Sequence, residues 1–258
     1  MSKRILVPGT LGDLYEGARE ILAEQGYDAT YLGNITGDDI DTGLAHIDND
    51  ICLSTVAIVG QYMRYFNEHG VEDGICVLAP EICRDCRSVS IPDVLPSTFE
   101  RAGIEGVTVV PFSSAEAKSS TPAPKTCQIA SDKPVIGVTG NMPVVTTQEF
   151  RRIVCNHLEE SGCQVVLPPA QAISDTRDFL TPALRYFDEQ GITTVICILP
   201  FGCLGGHVFA RGQLRKLQRE FPHIELTILD YDPSASDINL VNRTELVIQS
   251  AKEKTARG

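Results

Sequence analysis

Four of the nine cysteines in this 258-residue chain stand where thiolate chemistry is expected. Cys83 and Cys86 form a C-x-x-C within Pro80-Glu81-Ile82-Cys83-Arg84-Asp85-Cys86-Arg87. Cys203 lies in Pro200-Phe201-Gly202-Cys203-Leu204-Gly205-Gly206-His207, and Cys52 directly precedes the apolar run that begins at Leu53. Thiolates at such places hold zinc or iron–sulfur clusters, and a C-x-x-C also serves as a redox dithiol. Arg84-Asp85 is not a characteristic dithiol insert, which weakens that reading and leaves zinc open beside a cluster. The glycines flanking Cys203 let backbone approach a bulky inorganic group closely, which favours a cluster slightly over a single ion.

The other five cysteines read differently. Cys76 and Cys197 fall at equivalent positions of two apolar strands and are expected to be small buried hydrophobes. Cys155 within a helix and Cys163 just past a glycine are also expected in the core. Cys127 receives no role. An odd count with sparse spacing argues against a disulfide scaffold. Among other side chains, His207 is a candidate proton donor four residues after Cys203, and Arg84, Arg87 and Arg243 are candidate cations for a cluster or anionic substrate. For Arg243 an ion pair with Asp230, Asp232 or Glu245 is an equal expectation. The acidic run Gly37-Asp38-Asp39-Ile40-Asp41 reads as a solvated loop. Neither G-x-x-x-x-G-K-[ST] nor G-x-G-x-x-G occurs, so the chain carries no nucleotide fingerprint of those kinds.

The elements that must position these residues come in two similar sets. Residues 114–126, rich in Ser, Ala and Pro, read as a linker between an N-terminal domain, 1–113, and a C-terminal domain, 127–258. Lys3–Gly9 and Lys133–Gly140 each form a short apolar run ending in glycine, as buried parallel strands do. Helices are expected at Leu11–Gln25 and Thr147–Ser161, closed by Gly26 and Gly162, before strands at Asp28–Leu32 and Gln164–Leu167. Helices at Leu53–His69 and Phe179–Gln190 then lead into Gly70–Pro80 and Gly191–Pro200. Strands at Val107–Val110 and Glu225–Leu229 follow, and a last helix over Ile238–Lys252 has Asp237 as its cap. Alternation of this kind predicts an α/β fold of two Rossmann-like, doubly wound parallel sheets related by an internal repeat. In such sheets ligands bind beyond the carboxyl ends of the strands, and all four chosen cysteines fall in that zone.

Composition narrows the partners. With 22 Lys and Arg against 34 Asp and Glu, the net charge of −12 disfavours nucleic acid and polybasic membrane contact. The three apolar residues before Pro8 are too few for a signal peptide, and the expectation is a reduced, cytoplasmic protein with no membrane span.

At the cysteine loops a resemblance becomes specific. The chain resembles the 2-hydroxyacyl-CoA dehydratase component family, including the shorter proteins called acyl-CoA dehydratase activase-related. The segments that carry it are Val7-Pro8-Gly9-Thr10-Leu11-Gly12, Cys52 with its helix containing Gly60, the Cys83/Cys86 loop leading to Val107–Phe112, and Pro200-Phe201-Gly202-Cys203. Leu229-Asp230-Tyr231-Asp232 and Asn242-Arg243-Thr244-Glu245 resemble the family's closing strand and helix. The resemblance implies two Rossmann-like domains with an iron–sulfur cluster in the crevice between them, held by Cys52, Cys83, Cys86 and Cys203. It implies a homodimer that takes low-potential electrons from a separate ATP-hydrolysing activase and reduces or radically dehydrates a small substrate. Four ligands suit one [4Fe–4S] centre, whereas a double-cubane cluster calls on Cys127, Cys155 or Cys163 as well. Leu53-Ser54 stands where many relatives have Phe-Pro, and the length leaves little room for a CoA-binding extension. The alternative from a different class is a non-enzymatic protein that uses the same thiolates for structural zinc or cluster transport.

Overall fold

Alternating apolar runs and amphipathic segments fold here as two compact α/β units. The computed structural model describes residues 2–48, 51–81, 90–113, 133–140, 151–169, 178–232 and 236–257. The first unit holds strands β1 (Lys3–Val7), β2 (Tyr27–Tyr31), β3 (Cys76–Glu81) and β4 (Thr108–Ser113), with helices α1 (Tyr15–Glu24), α2 (Gly37–His46), α3 (Leu53–His69) and α4 (Ile91–Arg101). The second holds β5 (Val135–Gly140), β6 (Gln164–Val166), β7 (Thr194–Pro200) and β8 (Glu225–Tyr231), with α5 (His157–Glu160), α6 (Leu180–Glu189), α7 (Arg211–Glu220) and α8 (Ile238–Arg257). The sheets run β2-β1-β3-β4 and β6-β5-β7-β8, parallel throughout. The same order twice is the expected repeat, and in each sheet the order of strand addition reverses between the first and third strands. The linker at 114–126 and Cys127 lie outside the described residues. Among the described residues no helix is long and apolar enough to cross a membrane.

Several expected boundaries move for local reasons. The first helix starts at Tyr15 rather than Leu11, because Gly9–Leu14 forms a tight turn that Gly12 breaks with φ 47° and ψ −122°. The start of the helix expected at Thr147 lies outside the described residues; from Arg151 a π-helical turn, Arg151–Asn156, leads into α5. Gly26 and Gly162 do close their helices, with φ of 84° and 86°. At α8, the Asp237 carbonyl accepts from the Val241 amide as a cap residue's does, and the Ser236 hydroxyl accepts from the Ile238 amide.

One expectation fails outright. The acidic run from Gly37 is the start of α2 rather than a solvated loop. Thr36 caps it: its hydroxyl accepts from the Asp39 amide, and the Asp39 carboxylate accepts from the Thr36 amide at 2.8 Å. Asp39 is buried and pairs with Arg64 of α3 at 2.9 Å. The T-x-x-D spacing is a capping box with Asp in place of Glu, which the charge pattern masks.

The repeat also corrects the alignment of the core cysteines. Cys76 lies with Ile5, Val7 and Leu78 under α1, whereas Cys197 lies with Val195 and Leu199 under α6 and α7. The helices before and after the third strand cover the opposite face in the first unit, where Tyr62 and Phe66 of α3 meet Phe99 of α4. Cys197 therefore corresponds to Val77, one residue on from Cys76. With that shift Pro80 and Pro200 coincide, pairing with Phe112 and Tyr231 on the neighbouring strands. Three residues beyond each proline stand Cys83 and Cys203.

α3 has an unusual environment, since every residue from Leu53 to Met63 is buried. It crosses α2 at two glycines: a Cβ at Gly60 would come within 1.6 Å of the Asp39 carbonyl oxygen, and one at Gly43 within 2.1 Å of that of Val56. Backbone cannot yield as a side-chain tip does, so Gly60→Ala forces the helices apart. We expect that substitution to cost about 3 kcal/mol in urea unfolding, the upper range for overpacking. A loss below about 0.5 kcal/mol, the usual surface range, would show that the crossing is not so tight.

Candidate functional site

The Cys203 loop is built by its own sequence. Pro200-Phe201-Gly202-Cys203 closes a turn in which the Cys203 amide donates to the Pro200 carbonyl at 3.0 Å. Gly202 has φ 70°, as the third position of a type II turn requires. A helix starts immediately afterwards, with the His207 amide donating to the Cys203 carbonyl at 2.9 Å. Cys203 is thus the cap residue, and its Sγ accepts from the Gly206 amide at 3.3 Å. A side chain at Gly206 would meet Leu199 at 3.0 Å, so glycine lets this helix start lie close on β7. An amide aimed at sulfur and the positive end of a helix both favour negative charge on that sulfur. Cys203 is buried, and around it Phe201, Leu204 and Val208 are exposed.

The helix that starts here is π-helical over Gly205–Ala210 before becoming α7. The segment before α5 has the same form, and π turns recur at functional sites. His207 is half-buried one turn after Cys203, on the same side of the helix. Arg211, a further turn on, places Nη2 at 2.6 Å from both carboxylate oxygens of Asp230 at the end of β8. That pair was not singled out by sequence, although the 203/207/211 spacing is its signal. Asp230 therefore pairs with Arg211 rather than Arg243. Arg243 donates to the Ile228 carbonyl at 2.6 Å, and among the described residues no carboxylate lies within ion-pair distance of it. Since the Glu225 amide and the Tyr231 carbonyl bond toward β7, the carbonyl of Ile228 faces the free edge of β8, which Arg243 covers.

In the first unit the helix α3 runs antiparallel to β1. Gln61 meets Gly9, Tyr62 meets Leu6, and the Arg4 guanidinium sits over the Tyr65 ring. The amino end of α3, with Cys52 as its cap residue, therefore stands beyond the carboxyl edge of the first sheet. The Cys52 carbonyl accepts from the Thr55 and Val56 amides at 2.8 and 3.1 Å, and its half-buried sulfur makes no capping bond. Gln61 is the positioning residue that sequence reading missed. Its Oε1 accepts from the Gly9 amide at 2.7 Å and its Nε2 donates to the Gly33 carbonyl at 3.1 Å, which ties together the loops after β1 and β2. It is a lone amide in the run Val56–Met63, and that was the available signal.

Cys83, Cys86, Arg84 and Arg87 lie outside the described residues; the strand that leads to them, β3, ends at Glu81. Among the described residues no three His, Cys, Asp or Glu side chains gather as a metal site. The donor chemistry at Cys203 nonetheless suits a thiolate-held metal group, because the sulfur already accepts an amide hydrogen bond. Cys76, Cys155, Cys163 and Cys197 are buried, as expected of core residues. No protein-family model matches the chain, and no curated protein does.

Burial raises the thiols of Cys76 and Cys163 and pushes that of Cys197 up to about 12, with Asp230 and Cys203 adding to the effect and Arg211 opposing it. The fold thus favours the neutral thiol of Cys197. Its contribution to stability is complete below pH 9, the ordinary thiol value, and is lost as the pH climbs from 9 toward 12. Urea midpoints measured across that window should fall less steeply in Cys197→Ala than in the parent. Equal slopes would mean that Cys197 is not a buried neutral thiol.

Proposed function

We propose that the chain is an iron–sulfur redox protein whose Cys52, Cys83, Cys86 and Cys203 thiolates hold one cluster, [4Fe–4S] in type. The observation that supports this most is Cys203 as a helix cap at the carboxyl end of β7, with the Gly206 amide on its sulfur. In the repeat, that place matches the first cysteine of the C-x-x-C after β3. The cluster supplies one-electron transfer when bound. The protein's own residues orient and tune it: the type II turn at Gly202 aims the sulfur, and the Gly206 amide and helix dipole hold its negative charge. His207, one turn along, is placed to hold a proton for a bound substrate. Arg243 has a structural part on this reading, since its guanidinium covers the β8 edge.

The electrons would come from a separate ATP-hydrolysing activase, as the resemblance at the cysteine loops implies. A small organic substrate then receives them, in a homodimer of this chain. The competing reading keeps the same thiolates and replaces the cluster by structural zinc, or makes the chain a cluster carrier; the exclusively sulfur donor set favours it equally.

Strictly anaerobic isolation, followed by assays for iron, acid-labile sulfide and zinc, separates these readings. We expect about four irons and four sulfides per chain, the content of one [4Fe–4S] centre. In Cys203→Ser that content should fall by more than half. Zinc without sulfide would overturn the proposal, and unchanged content in Cys203→Ser would remove the second unit from the ligand set.

A further inference from the structure

The carboxyl edge of the second sheet carries a pair of charges beside the Cys203 turn. Asp230 stands next to Leu199 in the register of β7 and β8, so their side chains lie on the same face of the sheet. On that face Gly206 packs on Leu199, where a Cβ would come within 3.0 Å, and the Gly206 amide donates to the Cys203 sulfur. Arg211 reaches the same place from α7, with Nη2 at 2.6 Å from both Asp230 oxygens. Leu199 thus lies between the ion pair and the Cys203 turn. Cys197, two residues back on the same face, reports the same neighbours. Its thiol is raised by burial, lowered by Arg211, and raised again by Asp230 and Cys203.

The repeat shows that the fold does not require this pair. Since Pro80 and Pro200 coincide, the place of Asp230 beside Leu199 is taken in the first sheet by Pro111 beside Ala79. A sheet of the same strand order is therefore built there without a charge. The pair also leaves a donor over, because the Arg211 Nε is buried and has no hydrogen-bond partner. A buried N–H left in this way costs stability, and the packing of α7 on the sheet gives no return for it.

We propose that Arg211, aimed by Asp230, is the cation that sets the reduction potential of the group held at Cys203. The inference rests on the cluster reading of the thiolates. Reduction adds negative charge to a cluster, so a fixed guanidinium nearby favours the reduced form and raises the potential. In a chain of net charge −12 the background field opposes that reduction, and a local cation offsets it. Asp230 fixes the guanidinium and cancels part of its charge, which makes the pair a positioning device rather than a catalytic one. Arg243 is held instead at the Ile228 carbonyl.

The test is a potentiometric titration, read by electron paramagnetic resonance, of the anaerobically isolated protein, Arg211→Gln, Asp230→Asn and the double variant. Iron content per chain is measured alongside. Arg211→Gln leaves an unpaired carboxylate and should lower the potential, whereas Asp230→Asn leaves an unpaired guanidinium and should raise it. Each shift should reach about tenfold in the one-electron equilibrium constant, or about 59 mV, the order expected of a charge ~10 Å away. The double variant should fall between the two, and Arg211→Lys, which keeps the charge, should stay near the parent. Opposite signs identify a charge effect, because loss of a structural brace moves both single variants the same way. Unchanged potentials, shifts of one sign in both, or equal loss of iron from both overturn the inference and leave the cluster reading standing. A parent protein without iron overturns the cluster reading and the inference with it.

Discussion

The β1–β3 ladder stops just past Leu6 and Val77, where Pro8 has no N–H to give the Leu78 carbonyl, and the first unit is arranged around that gap. A buried strand carbonyl left without a ladder partner costs stability. The Tyr62 hydroxyl meets that need, and burial raises its pKa well above the ordinary phenol value, so it stays a donor. Tyr62 and Gln61 together fix the height of α3 over the sheet, and the glycine crossing with α2 fixes its lateral position. The consequence is a helix whose amino end, carrying Cys52, projects past the strand ends by a set distance.

The second unit solves the same problem differently. Its first and third strands stay paired for four residues, Gly137–Gly140 with Val195–Ile198, so no tyrosine is needed between them. The close approach is managed by Gly137, where a side chain would strike the Phe187 ring at 2.8 Å, and by Gly140, where one would strike the Ile198 carbonyl oxygen at 2.2 Å. The closely built turn lies instead after β7, where Pro200, Gly202, Cys203 and Gly206 each have a defined geometric task. One fold carried twice has therefore specialised each carboxyl edge with different residues.

Much of this was legible in the residues themselves. Strand type, the parallel order and the helix Leu53–His69 followed from apolar run length and alternation, and the glycine stops at Gly26 and Gly162 from their flanking pattern. What local pattern could not show was which face of a sheet a strand residue meets. That depends on the handed crossover of the whole unit, so Cys76 and Cys197 looked equivalent when they lie on opposite faces. The acidic start of α2 was hidden because Asp39 gains its role only when Arg64, twenty-five residues away, closes on it. At the candidate site, the tight turn at Cys203 was readable from its glycines, but the contacts of Gln61 and Arg211 required their partners at Gly9 and Asp230 to be in place. Arg243, chosen for its charge, turns out to cover a strand edge.

If sulfur at the amino ends of these helices holds a cluster, the metal's immediate neighbours must be both cysteine sulfur and inorganic sulfide shared between irons. X-ray absorption at the iron and zinc K-edges of the anaerobically isolated protein reads this directly. The account predicts an iron edge with a sulfur shell and a second shell of neighbouring iron. A zinc edge with only a sulfur shell, and no iron, would contradict it.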